Sequence, residues 1–319
     1  MVREDKGVAI KKAYALSGKK IGRKLSGIAR SPGEILFDMI NTVFMVLLCI
    51  VMIYPLLYVL FASFSNPDRF VAHVGILLKP AGFSLKAYES VLSNVYIASG
   101  YRNTLIIVVV GVMINLLMTA LGAYALSRRS LEFRRPLMLM IMFTMYFSGG
   151  LIPSYFNVQD LGLMNSIWAV ILPGAINTMN LIIMRTSFEA IPPSLEESAR
   201  MDGANEFVIL FKIVLPLSKA VIAVMVLYYG VAHWNSWFNA SLYLKERGKY
   251  PLQLILREIL IQNQGNDMLT TDDANNQFIN LKETLKYATI IVATVPILFV
   301  YPFIQKYFTK GVMIGAVKG

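Results

Sequence analysis

The chain has 319 residues, of which 56% are hydrophobic and only 15% charged, and its formal net charge is +11. A soluble domain carries about a quarter of its residues as charges, so that class is excluded, and several apolar runs reach the roughly 20 residues needed to cross a bilayer. The positive balance, a nucleic-acid signal in a soluble protein, is here explained by the retention of Lys and Arg on the cytoplasmic side of membrane proteins.

Residues 1–34 are polar and basic, with nine Lys and Arg. Ile21, Leu25 and Ile28 mark one face of an amphipathic helix lying on the inner membrane surface, or the stretch is a disordered tail that fixes topology. No short apolar core followed by a small-residue cleavage site marks a signal peptide. Span one runs from about Ile35 to Phe61 with Pro55 as a kink. It holds Cys49, the single cysteine, so the chain has no disulfide framework or thiolate metal site, and its two distant histidines offer no metal site either. A mixed loop over 63–100 precedes span two, about Asn103 to Leu126, and a basic turn with Arg128, Arg129, Arg134 and Arg135. Span three follows Pro136 and ends near Leu151, and the connector from Pro153 to Met164 lacks Lys and Arg. Span four covers about Asn165 to Met184 across Pro173-Gly174. Span five covers about Leu217 to Leu242. A loop to about Lys282, with Asp272-Asp273, leads to span six, about Glu283 to Phe308.

Six spans put both termini on one side, and charge says which. Twenty of the thirty Lys and Arg fall in the N-tail, the 128–135 turn, the 185–219 connector and the C-tail, against eight in the three opposite loops. The richer side is cytoplasmic. The expectation is therefore an all-α polytopic membrane protein of 35–310, flanked by cytoplasmic tails over 1–34 and 311–319. No Asp, Glu, Lys or Arg lies in the middle of a span, where ion-coupled transporters keep their charged groups. No paired broken segments of the inverted-repeat kind stand out, and no G-x-x-x-x-G-K-[ST] loop is present to cradle ATP. The chain has a pathway and no engine of its own.

The polar stretch 191–216 between spans four and five has its own helix grammar. Pro192 and Pro193 end the preceding helix. Ser194 and Glu197 have the spacing of a capping box, Glu196 and Glu197 sit in the positive first turn, and Gly203 is a C-terminal stop. A second short helix carries Phe207, Leu210, Phe211 and Val214, with Phe207 and Phe211 on one face. Local physics alone is equally content with a capped connector. In span five, His233-Trp-Asn-Ser-Trp-Phe-Asn239 puts Trp234, Trp237 and Phe238 on one helical face and Asn235 and Asn239 on another. This is either a wall of a sugar path, ring faces against C–H groups and amides against hydroxyls, or an interfacial aromatic belt. His233 is expected to hold helices together rather than relay protons. Tyr146, Asn177 and Asn180 are further candidates for a polar path.

Glu197-Ser-Ala199, Gly203 and Ile213-x-Leu-Pro216, with Asp202-Gly-Ala between, resemble the "EAA" loop of permease subunits of type I ATP-binding-cassette importers, Ser198 standing for the family's first Ala. Trp234-Asn235-x-x-Phe238 with Tyr250-Pro-Leu resembles span five of the carbohydrate-uptake permeases of the maltose type. Gln305 to Phe308, Lys310-Gly311 and Gly315 to Gly319 resemble the C-terminus of that family's second permease. Tyr146 to Tyr155 and the loop over 258–283 are similar to the branch importing oligosaccharides and polysaccharide fragments. The resemblance covers 35–319 and implies the type I permease fold in a bacterial inner membrane. It implies that Glu197, Ser198, Ala199, Asp202, Gly203, Ile213 and Pro216 form a coupling helix against an ATPase, and that Gly311, Gly315 and Lys318 lie on a tail touching the same ATPase. The implied partners are a second homologous permease, two copies of a cytoplasmic ATPase that bind ATP and Mg, an extracytoplasmic sugar-binding protein and membrane lipid, with no nucleic acid. The chain itself would bind no cofactor and catalyse nothing. The rivals are a passive channel, a membrane-embedded enzyme, for which no acid, His or nucleophile cluster exists, and the same fold carrying a peptide or amino acid.

Overall fold

The computed structural model describes residues 31–128, 130–265, 280–299 and 302. The basic tail with its Ile21–Ile28 stripe, Asp272-Asp273, the end of span six, and Gly311, Gly315 and Lys318 lie outside the described residues. The chain divides into two compact units, Met1–Leu57 and Tyr58–Gly319.

Helix α1 (Pro32–Ser63) opens on a true capping box: the Glu34 amide donates to Ser31 Oγ at 3.2 Å and the Ser31 amide to Glu34 Oε2 at 3.0 Å. Its 32 residues rise roughly 48 Å at about 1.5 Å each, beyond the about 30 Å of a hydrocarbon core. Short helices α2 (Pro67–Val71) and α3 (Lys86–Leu92) follow. At the foot of α1, the rings of Tyr58, Phe70 and Tyr287 meet edge to face at 5.5 to 6.3 Å, closing a small core over Ala62 and Leu77.

The second unit is built on α4 (Val95–Ser127), against which α8, α12 and α14 pack. α5 (Arg134–Tyr146) and α6 (Leu151–Asp160) meet at 111° across Gly150, whose φ of +90° suits glycine. α7 (Trp168–Ile171) runs into a 3-10 turn, Leu172–Gly174, and then at 52° into α8 (Thr178–Glu189). α9 (Pro193–Met201), α10 (Glu206–Ile209), a π turn (Leu210–Val214) and α11 (Leu215–Leu217) lead at 86° into α12 (Lys219–Trp234). α13 (Phe238–Tyr243), α14 (Leu252–Gly265) and α15 (280–299) follow among the described residues. Among the described residues α1 and α4 are long and apolar enough to cross a membrane. Three bent pairs pass the same test together: α5 with α6, α7 with α8, and 206–217 with α12.

The 153–164 connector carries most of α6. Two expectations need correction. Span four is not one rod: Pro173 removes a helical donor and breaks it, and Asn165 lies outside it at φ +57°. Span five stops at Trp234, so Trp234, Trp237 and Phe238 share no helical face.

Polar side chains of α4 satisfy what these breaks expose. Asn115 Nδ2 donates to the carbonyls of Gly174 and Ala175 at 2.7 and 2.9 Å, next to the Pro173 break. His233 Nε2 lies 2.6 Å from Asn115 Oδ1, and Thr119 Oγ1 lies 2.7 Å from the Tyr229 hydroxyl. Asn103 Nδ2 donates to the Gly248 and Tyr250 carbonyls, and Thr104 Oγ1 accepts from the Leu252 amide at 2.8 Å. Each such bond is worth about 0.6 kcal/mol on average inside a bilayer, so the set stiffens the bundle by number. His233 is thus the packing residue the sequence implies. Its ring lies on Gly111, where a Cβ would come within 2.5 Å of Nε2.

Candidate functional site

The 191–216 stretch is folded tightly onto the bundle. Pro192 is the N-cap of α9 and Pro193 its first residue, so no side chain caps it. The expected Ser194–Glu197 capping box is therefore absent: Ser194 lies inside the helix, its carbonyl accepting from Ser198 Oγ at 2.9 Å, and Glu197 is exposed. Proline at the first position removes one unpaired amide, and Pro192 at the N-cap has no side-chain acceptor with which to form a box. At the other end the Gly203 amide donates to the Arg200 carbonyl at 3.0 Å and the Ala204 amide to the Ala199 carbonyl at 2.9 Å. With Gly203 at φ +81°, this is a Schellman stop. Asn205 restarts the chain, its Oδ1 accepting from the Val208 amide at 2.9 Å.

Ala199 is buried with Ile209, Leu210 and Val214 in the largest apolar cluster of the bundle, and Ile191, Ala204 and Ile213 pack against it. The π turn widens the helix just before Pro216, whose ring would strike the Lys212 carbonyl in a regular α-helix. Leu195, Met201, Phe207 and Phe211 point outward, Met201 with 88% of its surface exposed. Asp202, Glu197, Ser198 and Pro216 are exposed as well. α9 therefore buries a carboxylate, Glu196, beside Ala199, and exposes Leu195 and Met201 among its polar residues.

What holds Glu196 inside is Arg128, the residue that follows α4. The two form an ion pair with side-chain exposures of 8% and 14%. Arg128 also lies 4.4 Å over the Tyr124 ring and donates to Ser127 Oγ at 2.8 Å. The Tyr124 hydroxyl donates to Glu206, which Arg200 also holds at 3.0 Å. The Tyr124 hydroxyl first, then Arg200 and Arg128, keep the Glu206 carboxyl below the usual range against a smaller opposing push from burial. Arg134 and Arg185 pair with Glu189, and Arg185 Nε donates to the Leu126 carbonyl at 3.1 Å. A cleft of about 560 Å³ opens between these groups, lined by Arg128, Arg134, Glu189, Glu196, Glu197 and Arg200. The ends of α4, α5, α8, α9 and α10 thus meet in one ionic knot.

Residues 16–314 match the family described as binding-protein-dependent transport system inner membrane component. The chain belongs to that family. It is 44% identical over 286 residues to the polygalacturonan/rhamnogalacturonan transport system permease protein of Bacillus subtilis (strain 168), covering 89% of this chain and 99% of that one. Protein LplC of the same organism is 40% identical over 284 residues, covering 89% and 95%. Among solved structures, a bacterial ABC transporter involved in the import of the acidic polysaccharide alginate matches at TM-score 0.79 and 34% identity, over 88% of this chain and 99% of that one. The resemblance to sugar-importer permeases read from the residues is borne out, and the chain is an ABC permease, a membrane transport subunit.

The permease's candidate path residues do not share one chamber. Tyr146 is exposed at the end of α5. Asn177 caps α8, its Oδ1 accepting from the Asn180 amide at 3.1 Å and its own amide donating to the Tyr229 hydroxyl at 3.1 Å, and Asn180 is buried. Trp234 is buried 6.4 Å from the Tyr101 ring. Asn235 lines a small cavity with α14 and α15. Trp237 lies under Arg257, whose guanidinium stands 3.6 Å from the ring centroid. The sequence reading missed Arg128, Tyr124, Glu189, Glu196 and Glu206 as a unit. The signal was present in the four arginines of 128–135, which topology alone had seemed to explain.

Proposed function

We propose that this chain imports oligosaccharides or polysaccharide fragments as one permease of an ATP-driven complex. It pairs with a second homologous permease, is fed by an extracytoplasmic sugar-binding protein, and is driven by two copies of a cytoplasmic ATPase that bind the ATP and Mg. Six spans with both termini in the cytoplasm put α9 on the ATPase side. The observation that carries the reading is the outward face of the 191–216 stretch: α9 is anchored by its buried Glu196 and exposes Leu195 and Met201, and α10 exposes Phe207 beside them in sequence. A mere connector gains nothing from exposing such a row, whereas a helix seated in a partner's cleft gains the burial of every one of them. Closing of the ATPase dimer would move α9, and the ionic knot would pass that movement to α4, α5 and α8. The sugar cargo is supported by the carbohydrate names of the relatives and by the Trp234-Asn235 pattern.

ATP hydrolysis by the complex in proteoliposomes, with and without sugar-loaded binding protein, tests this. Gly203→Val forces a β-branched residue into the left-handed region and should abolish ligand-stimulated hydrolysis while membrane insertion persists. Gly203→Asn, which tolerates that conformation, should retain it. Normal coupling in Gly203→Val, or failure of the chain to co-purify with any ATPase, overturns the reading in favour of a passive channel.

A further inference from the structure

α14 and α15 enclose a cavity of about 260 Å³, walled by Asn235, Gln253, Thr289 and Thr294 with Leu256 and Leu260 between them. Drug-sized pockets begin near about 300 Å³, so this one suits a single ring. Thr289 is wholly buried, yet its hydroxyl has no hydrogen-bond partner. The Trp234 indole N–H, buried in the apolar cluster that contains Leu256 and Ala293, is also unpartnered. Buried polar groups are nearly always paired, and inside a bilayer the penalty for leaving one bare rises. Thr289 lines the cavity and Trp234 belongs to the apolar cluster that adjoins it, so the bare hydroxyl marks the cavity for a ligand rich in hydroxyls. Asn235 donates one bond to the Val231 carbonyl at 2.9 Å, which leaves its carboxamide oxygen and its second N–H.

The same side of α14 carries a cation. Gln253, Leu256 and Leu260 line the cavity, and at helical spacing Arg257 shares their side of α14. Its guanidinium lies 3.6 Å from the Trp237 ring centroid, and the side chain is exposed. Among the described residues no carboxylate pairs with it, and the adjacent Glu258 is engaged by Arg247 at 3.1 Å. Stacking occupies the face of a guanidinium and leaves its edge donors, whose fork matches a carboxylate.

We propose that the cavity and Arg257 form a uronate subsite. A sugar ring sits in the cavity with its hydroxyls on Thr289, Asn235 and Gln253, and its carboxylate lies on Arg257. This rests on the carbohydrate-import reading above and adds that the cargo is anionic.

The test is initial uptake by the full complex in proteoliposomes, comparing a trigalacturonate with a neutral galactose trisaccharide. Arg257→Gln should lower the acidic-over-neutral preference in kcat/KM by roughly ten- to hundredfold, the worth of one charge-assisted hydrogen bond. Arg257→Lys, which keeps the charge without the fork, should recover part of it, and rising salt should erode the preference of the intact complex. An unchanged preference in Arg257→Gln, or an intact complex that imports only the neutral sugar, overturns the subsite and leaves the import reading standing. Uptake of neither sugar, with peptide taken up instead, overturns both.

Discussion

Arg128→Met separates a built-in anchor from an ornamental ion pair. An exposed pair is worth about 0–1 kcal/mol, whereas removing one partner of a buried pair costs about 3–5 kcal/mol because the other charge is stranded. Side-chain exposures of 14% and 8% put Arg128 and Glu196 in the second class. The adjoining cleft, shared with Arg134 and Arg200, admits water and neighbouring cations, which selects the lower end, about 3 kcal/mol. At about 2 °C per kcal/mol for large domains, that is a drop of roughly 6 °C in Tm. The two partners are unequal. Without Glu196, Arg128 still has Ser127 Oγ at 2.8 Å, the Tyr124 carbonyl at 3.3 Å and the Tyr124 ring. Without Arg128, Glu196 has no other ion pair among the described residues, only the cleft it shares with Arg134 and Arg200.

Arg128→Met should therefore cost more than Glu196→Gln, and the double variant should recover much of the loss, since no buried charge is then stranded. The assay is thermal unfolding of the detergent-solubilised complex by tryptophan fluorescence. A fixed scan rate is needed, because unfolding of such assemblies is kinetically controlled. A drop below about 2 °C, the surface-pair value, or a double variant equal to the sum of the singles, refutes the buried anchor.

Two further outcomes follow from packing and charge. Gly111→Ala should cost about 1–3 kcal/mol, because its Cβ would lie 2.5 Å from His233 Nε2 and displace the ring from Asn115. Alanine at Gly230, where only Val112 is near at 4.0 Å, is the mild control, and comparable loss in both would remove the contact as the cause. Glu206 has a depressed pKa, so its contribution is fully present above the ordinary glutamate value of about 4.3 and is lost as pH falls through the lower folded value. The Tm gap between the intact protein and Glu206→Gln should close on acidification through that window; a gap that widens contradicts the Tyr124–Glu206–Arg200 arrangement.

Hydropathy and charge placed the apolar segments, and the helix grammar of 191–216 located α9 and, to the residue, its Gly203 stop, though not its N-cap. What they could not show is where an apolar run bends. Pro173 announces its break, yet nothing in His233-Trp-Asn-Ser-Trp distinguishes a continuing helix from one that ends at Trp234 and restarts at Phe238. Sequence spacing therefore joined two tryptophans that the fold sends to different clusters, Trp234 to that of Ile255 and Trp237 to that of Ile107. The ionic knot was illegible for a related reason. Its members come from five elements, and their pairing depends on the angles at which helices end. The first-turn position of Glu196 likewise gave no sign that its carboxylate is buried on Arg128.

α4 links the two sites. It carries Tyr124 and ends at Arg128 on the coupling side, while near its start the Tyr101 hydroxyl donates to the Val292 carbonyl of α15 at 2.5 Å. A Cβ on Gly100 would meet Ile255 Cδ1 of α14 at 2.7 Å. It has no proline, whereas the other spans of this unit that can be traced are bent pairs. A stiff helix seated at both ends transmits a push as a displacement instead of absorbing it as a bend, but such a route is established only by measured coupling. Arg128→Met and Arg257→Gln lie at opposite ends, beyond the about 7–10 Å within which changes normally fail to add. If α4 is the link, their effects on acidic-sugar uptake should depart from additivity by more than about 0.5 kcal/mol, while their effects on Tm add. Additive uptake effects would mean that the coupling segment and the cavity act independently, and that movement reaches the sugar path through the partner permease instead.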